Sequence, residues 1–295
     1  MRPTLLVCVV AFGCATAEPG TAQSAGAEEE VAMPEDGERF LGLRLDTGGM
    51  PYVSTDFGKE GEWTLSAGIG PEEVSAREVV ESTAETVRAI TPAVDPIRPL
   101  VLGDTRGHQY QAHFEERGKM ALASFGATDA TASGRVIRVA MQSRDPETGV
   151  MVWDALVASF AGGGEGQLVQ LGGLRFRVSE DEGQFTLMHP DEEMSIRLRI
   201  TREPDPAAPY FEPGVGRRVV DREDTPHPLT EGAVLTRYRV ERHEGTPGAS
   251  DGDDDEEPEE GAILLAPLGG DRTLLVWAND PTERFDAFLA SLRLE

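Results

Sequence analysis

The sequence predicts an α+β protein built from two tandem copies of one unit of antiparallel strands and helices. The tetrapeptide Gly42-Leu43-Arg44-Leu45 returns as Gly173-Leu174-Arg175-Phe176, 131 residues later (173 − 42). The segment WDALVASF at 153–160 returns as FDAFLASL at 285–292, at nearly the same spacing (285 − 153 = 132). Two matches at one spacing indicate an internal duplication, and a length of 295 residues suits two domains of ordinary size.

The repeated octapeptide predicts an amphipathic helix that closes each copy, because its apolar residues fall at positions i, i+3, i+4 and i+7. An Asp-Pro pair precedes each helix, and these residues favour the N-cap and the first helical position. In the first copy Gly149 interrupts the pattern, so we expect that helix to begin a turn later. The predicted core residues of the two helices are Trp153, Leu156, Val157, Phe160, Phe285, Phe288, Leu289 and Leu292.

The first copy is predicted to occupy residues 38–161. After Pro71 we expect a helix from about residue 72 to 90, with Val80, Ala84 and Val87 as its buried stripe. A Gly-rich hinge is predicted at 162–167, because Gly162 to Gly166 contains four glycines. Alternation and turn residues predict strands at 39–46, 62–69, 108–116, 119–125 and 136–141.

The second copy is predicted to occupy residues 168–295. Four prolines between 204 and 213 are expected to shorten or remove its middle helix. The segment 246–261 reads TPGASDGDDDEEPEEG, which predicts a solvated acidic loop. Strands are predicted at 173–178, 184–188, 194–201, 234–242, 263–265 and 273–277.

Residues 1–17 have the pattern of an export signal, with Arg2 followed by an apolar stretch and small residues. Cys14 follows Gly13 as in a bacterial lipobox, and cleavage after Ala17 is the alternative. Residues 18–37 are predicted to be a disordered tether. We therefore expect a periplasmic or outer-membrane-anchored lipoprotein, or a secreted protein, with membrane attachment only through Cys14.

The composition excludes several classes of function. The formal net charge is −26, which disfavours binding to nucleic acid or to anionic lipid surfaces. The two cysteines, Cys8 and Cys14, both lie in the predicted leader, so the remaining chain offers no disulfide, thiolate metal site or thiol nucleophile. No cofactor or metal site is expected.

Several local motifs suggest chemistry but lack the context that it needs. The GASDG sequence at 248–252 matches a nucleophile elbow, yet it lies in a charged loop. Asp251, Asp253 and Asp255 lack the glycine and glutamate of a calcium-binding loop. His108 and His113 are an odd number of positions apart on one predicted strand, so they point to opposite faces. Trp63, Trp153 and Trp277 occupy apolar positions and are expected to pack in the core.

The order of elements, the opening strands at Gly42 and Gly173 and the closing helices resemble the PsbP-like α/β/α sandwich superfamily. The residues from Phe185 to Pro190 have the proline of a family motif without its tryptophan. This resemblance implies two tandem antiparallel-sheet α/β/α sandwich domains and a role in binding or assembly.

We therefore predict a non-catalytic exported envelope protein that binds an unknown protein or small-molecule ligand. No nucleophile, metal set or cofactor loop supports a reaction. Two alternatives remain open, a carboxylate-based hydrolase at the domain junction and a chaperone-like protein that binds clients. Convergent carboxylates would favour the hydrolase, and a large exposed apolar patch would favour the chaperone.

Overall fold

A computed structural model describes residues 38–59, 61–71, 74–116, 119–131, 134–189, 194–211, 217–242, 259–279 and 281–295. The predicted leader with Cys14, the tether and most of the acidic loop lie outside these residues. The described chain belongs to one compact unit, Asp36–Glu295. The predicted boundary at 162–167 therefore falls between two halves of this unit.

The first half contains ten of the described elements. In chain order they are β1 Glu38–Phe40, β2 Leu43–Leu45, β3 Tyr52–Lys59, β4 Trp63–Pro71, α1 Ala76–Arg88, β5 Arg98–Leu102, β6 Thr105–Glu116, β7 Lys119–Thr128, β8 Arg135–Ser143 and α2 Pro146–Phe160.

The second half repeats this order of strands and helices and adds one short strand at the end. Its described elements are β9 Gln167–Leu171, β10 Leu174–Val178, β11 Gly183–His189, β12 Met194–Thr201, α3 Ala208–Phe211, β13 Arg217–Pro226, β14 Val234–Arg242, β15 Glu259–Gly269, β16 Arg272–Asn279, α4 Glu283–Ser291 and β17 Arg293–Leu294.

The described strands form two antiparallel sheets, which confirms the α+β class. The large sheet has the order β13-β14-β15-β16-β12-β11-β3-β4-β8-β7-β6-β5, and the small sheet has the order β10-β9-β1-β2-β17. From its middle outward, one half of the large sheet runs β3, β4, β8, β7, β6 and β5, and the other half runs β11, β12, β16, β15, β14 and β13. Each strand therefore has the same place in its half as its counterpart has in the other. The halves are therefore joined edge to edge through β3 and β11, in a register that pairs Ser54 with Thr186.

The large sheet is the middle of three layers. One of its faces packs against the small sheet, α2 and α4 to form the main core. On the opposite face, α1 packs on β6 and β7, whereas α3 packs on residues of β14, β15 and β16. The main core is common to both halves, as a continuous series of phenylalanine rings shows. Successive rings lie 5.0 to 6.1 Å apart in the order Phe160, Phe176, Phe57, Phe40, Phe185 and Phe288.

Several predicted boundaries were wrong. The strand expected at 39–46 is a hairpin, because Leu41 and Gly42 adopt positive φ values of 50° and 85° between β1 and β2. Helix α2 begins at Pro146 rather than a turn later, and Gly149 is buried within it. Gln167 begins β9, and residues 259–261 belong to β15, so the predicted hinge and acidic loop are each shorter than expected.

Candidate functional site

The eight predicted helix residues lie in or against the main core. Two of them, Val157 and Phe160, are partly buried, and the other six are at most 4% exposed. The Trp153 indole also donates a hydrogen bond from Nε1 to the Gln109 Oε1, at 2.8 Å. These residues therefore hold the helices to the sheets and are unavailable to a ligand.

The other sequence candidates do not come together as a site. Residues 248–255, with the GASDG motif and its aspartates, lie outside the described residues. His108 and His113 both lie on β6, on opposite faces of the sheet. Within the described ranges, no three His, Cys, Asp or Glu residues are grouped as metal ligands.

The most distinctive surface is the face of the large sheet between α1 and α3. It is formed by five adjacent strands, β8, β4, β3, β11 and β12, and we call it the central face. The opposite sides of the same strands are buried in the main core. Its principal side chains are Tyr52, Ser54, Asp56, Ser66, Arg138, Gln184, Thr186, Met188, Arg197 and Arg199. Most of them are half-buried, while Gln184 and Arg197 are exposed.

A row of directly paired residues crosses the central face. Arg138 pairs with Gly68, Gly68 with Ser54, Ser54 with Thr186, and Thr186 with Arg197. Neighbouring strands are about 4.8 Å apart, so the two arginine backbones are separated by roughly 19 Å. Because the three residues between them are small, the row forms a trough with an arginine at each end.

An arginine and aromatic rings form one end of the trough. The Arg197 guanidinium carbon lies 5.0 Å from the centre of the Trp277 ring. Tyr210 packs on Trp277 at 5.3 Å, and the Trp277 Nε1 donates to the Tyr238 Oη at 2.9 Å. Burial raises the pKa of Tyr210, although the nearby charges of Arg197 and Arg199 oppose that shift. The indole is thus fixed from several sides and supports the arginine.

The two arginines of β12 differ in their partners. The Arg199 guanidinium donates two hydrogen bonds to the Glu203 carboxylate, at 2.7 and 3.0 Å. Arg197 makes no ion pair with any residue that the structure describes. The Arg197 side chain is exposed.

At the other end of the trough, Arg138 is half-buried. Burial lowers its pKa, and the nearby Tyr52 phenol partly opposes that shift. The Tyr52 ring lies over Gly70 of the neighbouring strand, where a Cβ atom would approach its Cδ1 to 2.5 Å. Gly70 therefore leaves room for the Tyr52 ring.

Asp56 is the single carboxylate among the strand residues of the central face. It accepts hydrogen bonds from the Ser66 hydroxyl and from the Gln184 amide. Both donors are neutral groups that hydrogen-bond to the carboxylate, and neither is a second carboxyl group that could share a proton with Asp56. The arrangement suits a fixed polar contact better than proton transfer.

Comparisons with known proteins identify no family. No protein-family model matches the chain, and no curated protein matches it. A similar solved structure is the apo structure of immunity protein TplEi of T6SS from Pseudomonas aeruginosa, with 10% sequence identity and a TM-score of 0.41. The match covers 83% of this chain and 92% of that chain. The PsbP-like resemblance stays a prediction.

No helix among the described residues has the length and apolar character needed to cross a bilayer.

Proposed function

We propose that this protein is a non-catalytic binding or assembly module and that the central face is its binding surface. The observation that carries the proposal is the stretch of sheet across the β3–β11 pair that none of the described helices covers. Its aromatic and arginine side chains, including Tyr52 and Arg197 beside Trp277, are of the types enriched where proteins bind one another. The strands of the central face are also well anchored for binding, because their opposite side packs in the main core.

A binding role explains the central face better than the two alternatives. A carboxylate-based hydrolase needs two carboxyl groups that converge on one bond. Asp56 has no such partner among the described residues of this face and is held by Ser66 and Gln184. A chaperone needs a broad apolar surface. The floor between the two arginines is instead made of Gly68, Ser54 and Thr186.

We also propose that the two halves arose by duplication and that the protein works outside the cytosol. The duplication is supported by the shared order of elements and by matching starts 131 residues apart, for β2 and β10 (174 − 43) and for β4 and β12 (194 − 63). The export proposal is supported by the signal-like sequence at 1–17.

Site-specific photo-crosslinking in the native cells tests the binding proposal. A photoreactive residue replaces Thr186 on the central face or, as the control, the exposed Arg175 on β10 of the small sheet. We expect a discrete crosslinked product from position 186 and none from position 175. Identical products from both positions, or no product from position 186, would contradict the proposal.

A further inference from the structure

We infer that the outer face of the small sheet docks on the phosphate headgroups of an anionic lipid bilayer and so orients the protein at a membrane surface. Residues such as Phe40 and Phe176 are buried in the main core, so the residues that alternate with them along the strands point outward. The outer face consists of Arg39, Arg44, Leu168, Gln170, Arg175, Arg177 and Arg293. It is separate from the central face, and the inference therefore goes beyond the proposed function.

A row of directly paired residues crosses all five strands of the outer face. Arg175 pairs with Gln170, Gln170 with Arg39, Arg39 with Arg44, and Arg44 with Arg293. Like charges that lie directly opposite each other on neighbouring strands destabilise a sheet. Two successive arginine pairs in one row are therefore unfavourable in the free protein, and a layer of bound anions relieves that repulsion.

The outer face is positive even by a strict count of charges. Arg39 forms an ion pair with Glu295, at 3.1 Å, and Arg44 also has an interaction partner, so neither is counted. The remaining arginines form no ion pair with any residue that the structure describes, and they are Arg175, Arg177 and Arg293. Arg177 and Arg293 donate hydrogen bonds to backbone carbonyl oxygens, which leave their charges uncompensated.

Exposed apolar side chains lie in the same layer as these arginines. Helix α2 packs beside β10 and buries Trp153 and Leu156 in the main core, so Met151, on the opposite side of the helix, points outward and is 65% exposed. Leu294 of β17 is 47% exposed, and Leu168 lies on the outer face itself. Basic and apolar side chains on one surface are typical of proteins that bind at the interface of an anionic bilayer.

A bilayer suits this surface better than a soluble polyanion. The row of paired residues spans four strand spacings, or roughly 19 Å, and a planar array of lipid phosphates contacts its arginines simultaneously. A nucleic acid or an acidic peptide supplies negative charge but no apolar phase for Met151 and Leu294. A bilayer at this face also agrees with the expectation that a photoreactive residue at position 175 captures no protein.

The formal charge of −26 opposes membrane binding by the chain as a whole but does not act equally from every face. At physiological salt, charges further than about 8 Å from the bilayer are largely screened, so the nearest face dominates the interaction. The small sheet and the central face lie on opposite sides of the large sheet. Docking through the outer face therefore leaves the central face directed away from the membrane and available to a partner.

Co-sedimentation of the full chain with vesicles tests the inference. Cys14 is replaced by serine so that no lipid is attached there, and the vesicles contain phosphatidylcholine alone or equal parts of phosphatidylcholine and phosphatidylglycerol. We expect partition into the anionic vesicles that weakens with salt, whereas the neutral vesicles measure any binding through residues 1–17. The double variant Arg175→Gln and Arg177→Gln should lower partition by about tenfold or more, because each arginine near an anionic surface contributes roughly fivefold.

The matched control is the double variant Arg88→Gln and Arg106→Gln, which removes two exposed arginines on the α1 side of the large sheet. It should bind anionic vesicles as the unchanged chain does, and far-UV circular dichroism checks that both variants are folded. Equal losses in the two double variants, or equal partition into both kinds of vesicle, would overturn the inference. Saturable binding of deca-glutamate without partition into anionic vesicles would also overturn it and assign the outer face to an acidic protein.

Single-site fluorescence tests the orientation without changing any arginine. With Cys8 and Cys14 replaced by serine, the environment-sensitive label NBD is attached through Leu168→Cys on the outer face or Thr186→Cys on the central face. Anionic vesicles should raise the emission and shift it to the blue at position 168 and leave it unchanged at position 186. No change at position 168, or an equal or larger change at position 186, would contradict docking through the outer face.

Discussion

Gly172 connects the two sheets and the two halves although it has no side chain. Its N–H donates to the Glu38 carboxylate at 2.6 Å, and its carbonyl accepts a hydrogen bond from the Arg135 guanidinium. Its φ is +56°, and a Cβ atom there would lie 2.7 Å from the Cγ2 of Val53. The position therefore requires glycine for two separate reasons, backbone conformation and space.

Gly172→Ala should destabilise the protein more than Gly42→Ala does. Gly42 is the matched control, because its φ is +85° but nothing lies within 4 Å of a Cβ added there. Both changes place alanine in a left-handed conformation at a cost of about 1–2 kcal/mol. Only the change at Gly172 adds overpacking, which costs roughly 1–3 kcal/mol more. Denaturant titration measures both values, and equal losses would contradict the contact with Val53.

Helix α2 begins with a cap at Asp145, one turn earlier than the sequence predicts. The Asp145 carboxylate accepts hydrogen bonds from the Thr148 hydroxyl at 2.5 Å and from the Thr148 N–H at 2.9 Å, and Pro146 occupies the first turn. These hydrogen bonds, the one from the Thr148 side chain first, lower the pKa of the Asp145 carboxyl. Gly149 does not delay the helix. Glycine allows the helix to pack closely on the sheet at this point, because a Cβ atom added at Gly149 would lie 3.0 Å from side-chain atoms of Leu122 and Ser143.

Removing this cap should have a pH-dependent effect. Because the folded pKa of Asp145 is lowered, its contribution to stability is fully present above the unfolded value of about 4 and is lost as pH falls through the folded pKa. Asp145→Ala should therefore lower the unfolding temperature at pH 7, and the difference from the unchanged protein should narrow at pH 3. Asp145→Asn keeps an uncharged acceptor and serves as the control. The prediction fails if the alanine variant differs from the unchanged protein equally at both pH values.

Most elements could be predicted from local pattern, and those that were missed have physical reasons. Strands such as β4 have buried apolar residues at alternate positions, and the closing helices have apolar residues at helical spacing. Both patterns are visible in the sequence. β13 was missed because it is a charged edge strand, whose exposed side chains leave little apolar pattern. β3 was missed because Thr55, the middle one of its three buried residues, is polar, so Val53 and Phe57 alone show little apolar alternation. The β1–β2 hairpin was missed because Leu41 is an unusual residue at positive φ.

The central face could not be predicted from the sequence, because its residues meet only through long-range pairing. Arg138, Ser54, Thr186 and Arg197 come from four strands of both halves. Each of them alone resembles an ordinary polar residue on a strand. What makes them a trough is the symmetric strand order and the register of β3 against β11, together with helices that cover the sheet only on either side.

At the scale of the whole molecule, the described residues form two sheets around a common core, and the proposed binding surface exists only if β3 pairs with β11. The phenylalanine series crosses that junction on the buried side, where Phe40 lies 5.0 Å from Phe185. The trough crosses the same junction on the exposed side. A shift of one residue in the register would turn Thr186 toward the core and break both features.

Chemical bridging of Ser54→Cys and Thr186→Cys tests this pairing most directly. With Cys8 and Cys14 replaced by serine, the doubly substituted chain contains only the two new thiols. Dibromobimane, which fluoresces strongly when it bridges two close thiols, should label this folded chain and join the two tryptic peptides that carry them. The control pair Ser54→Cys and Arg197→Cys, two strand spacings or roughly 10 Å apart, should not be bridged. Failure of the 54–186 pair to bridge in the folded protein, or equal bridging of the control, would contradict the shared sheet and the central face with it.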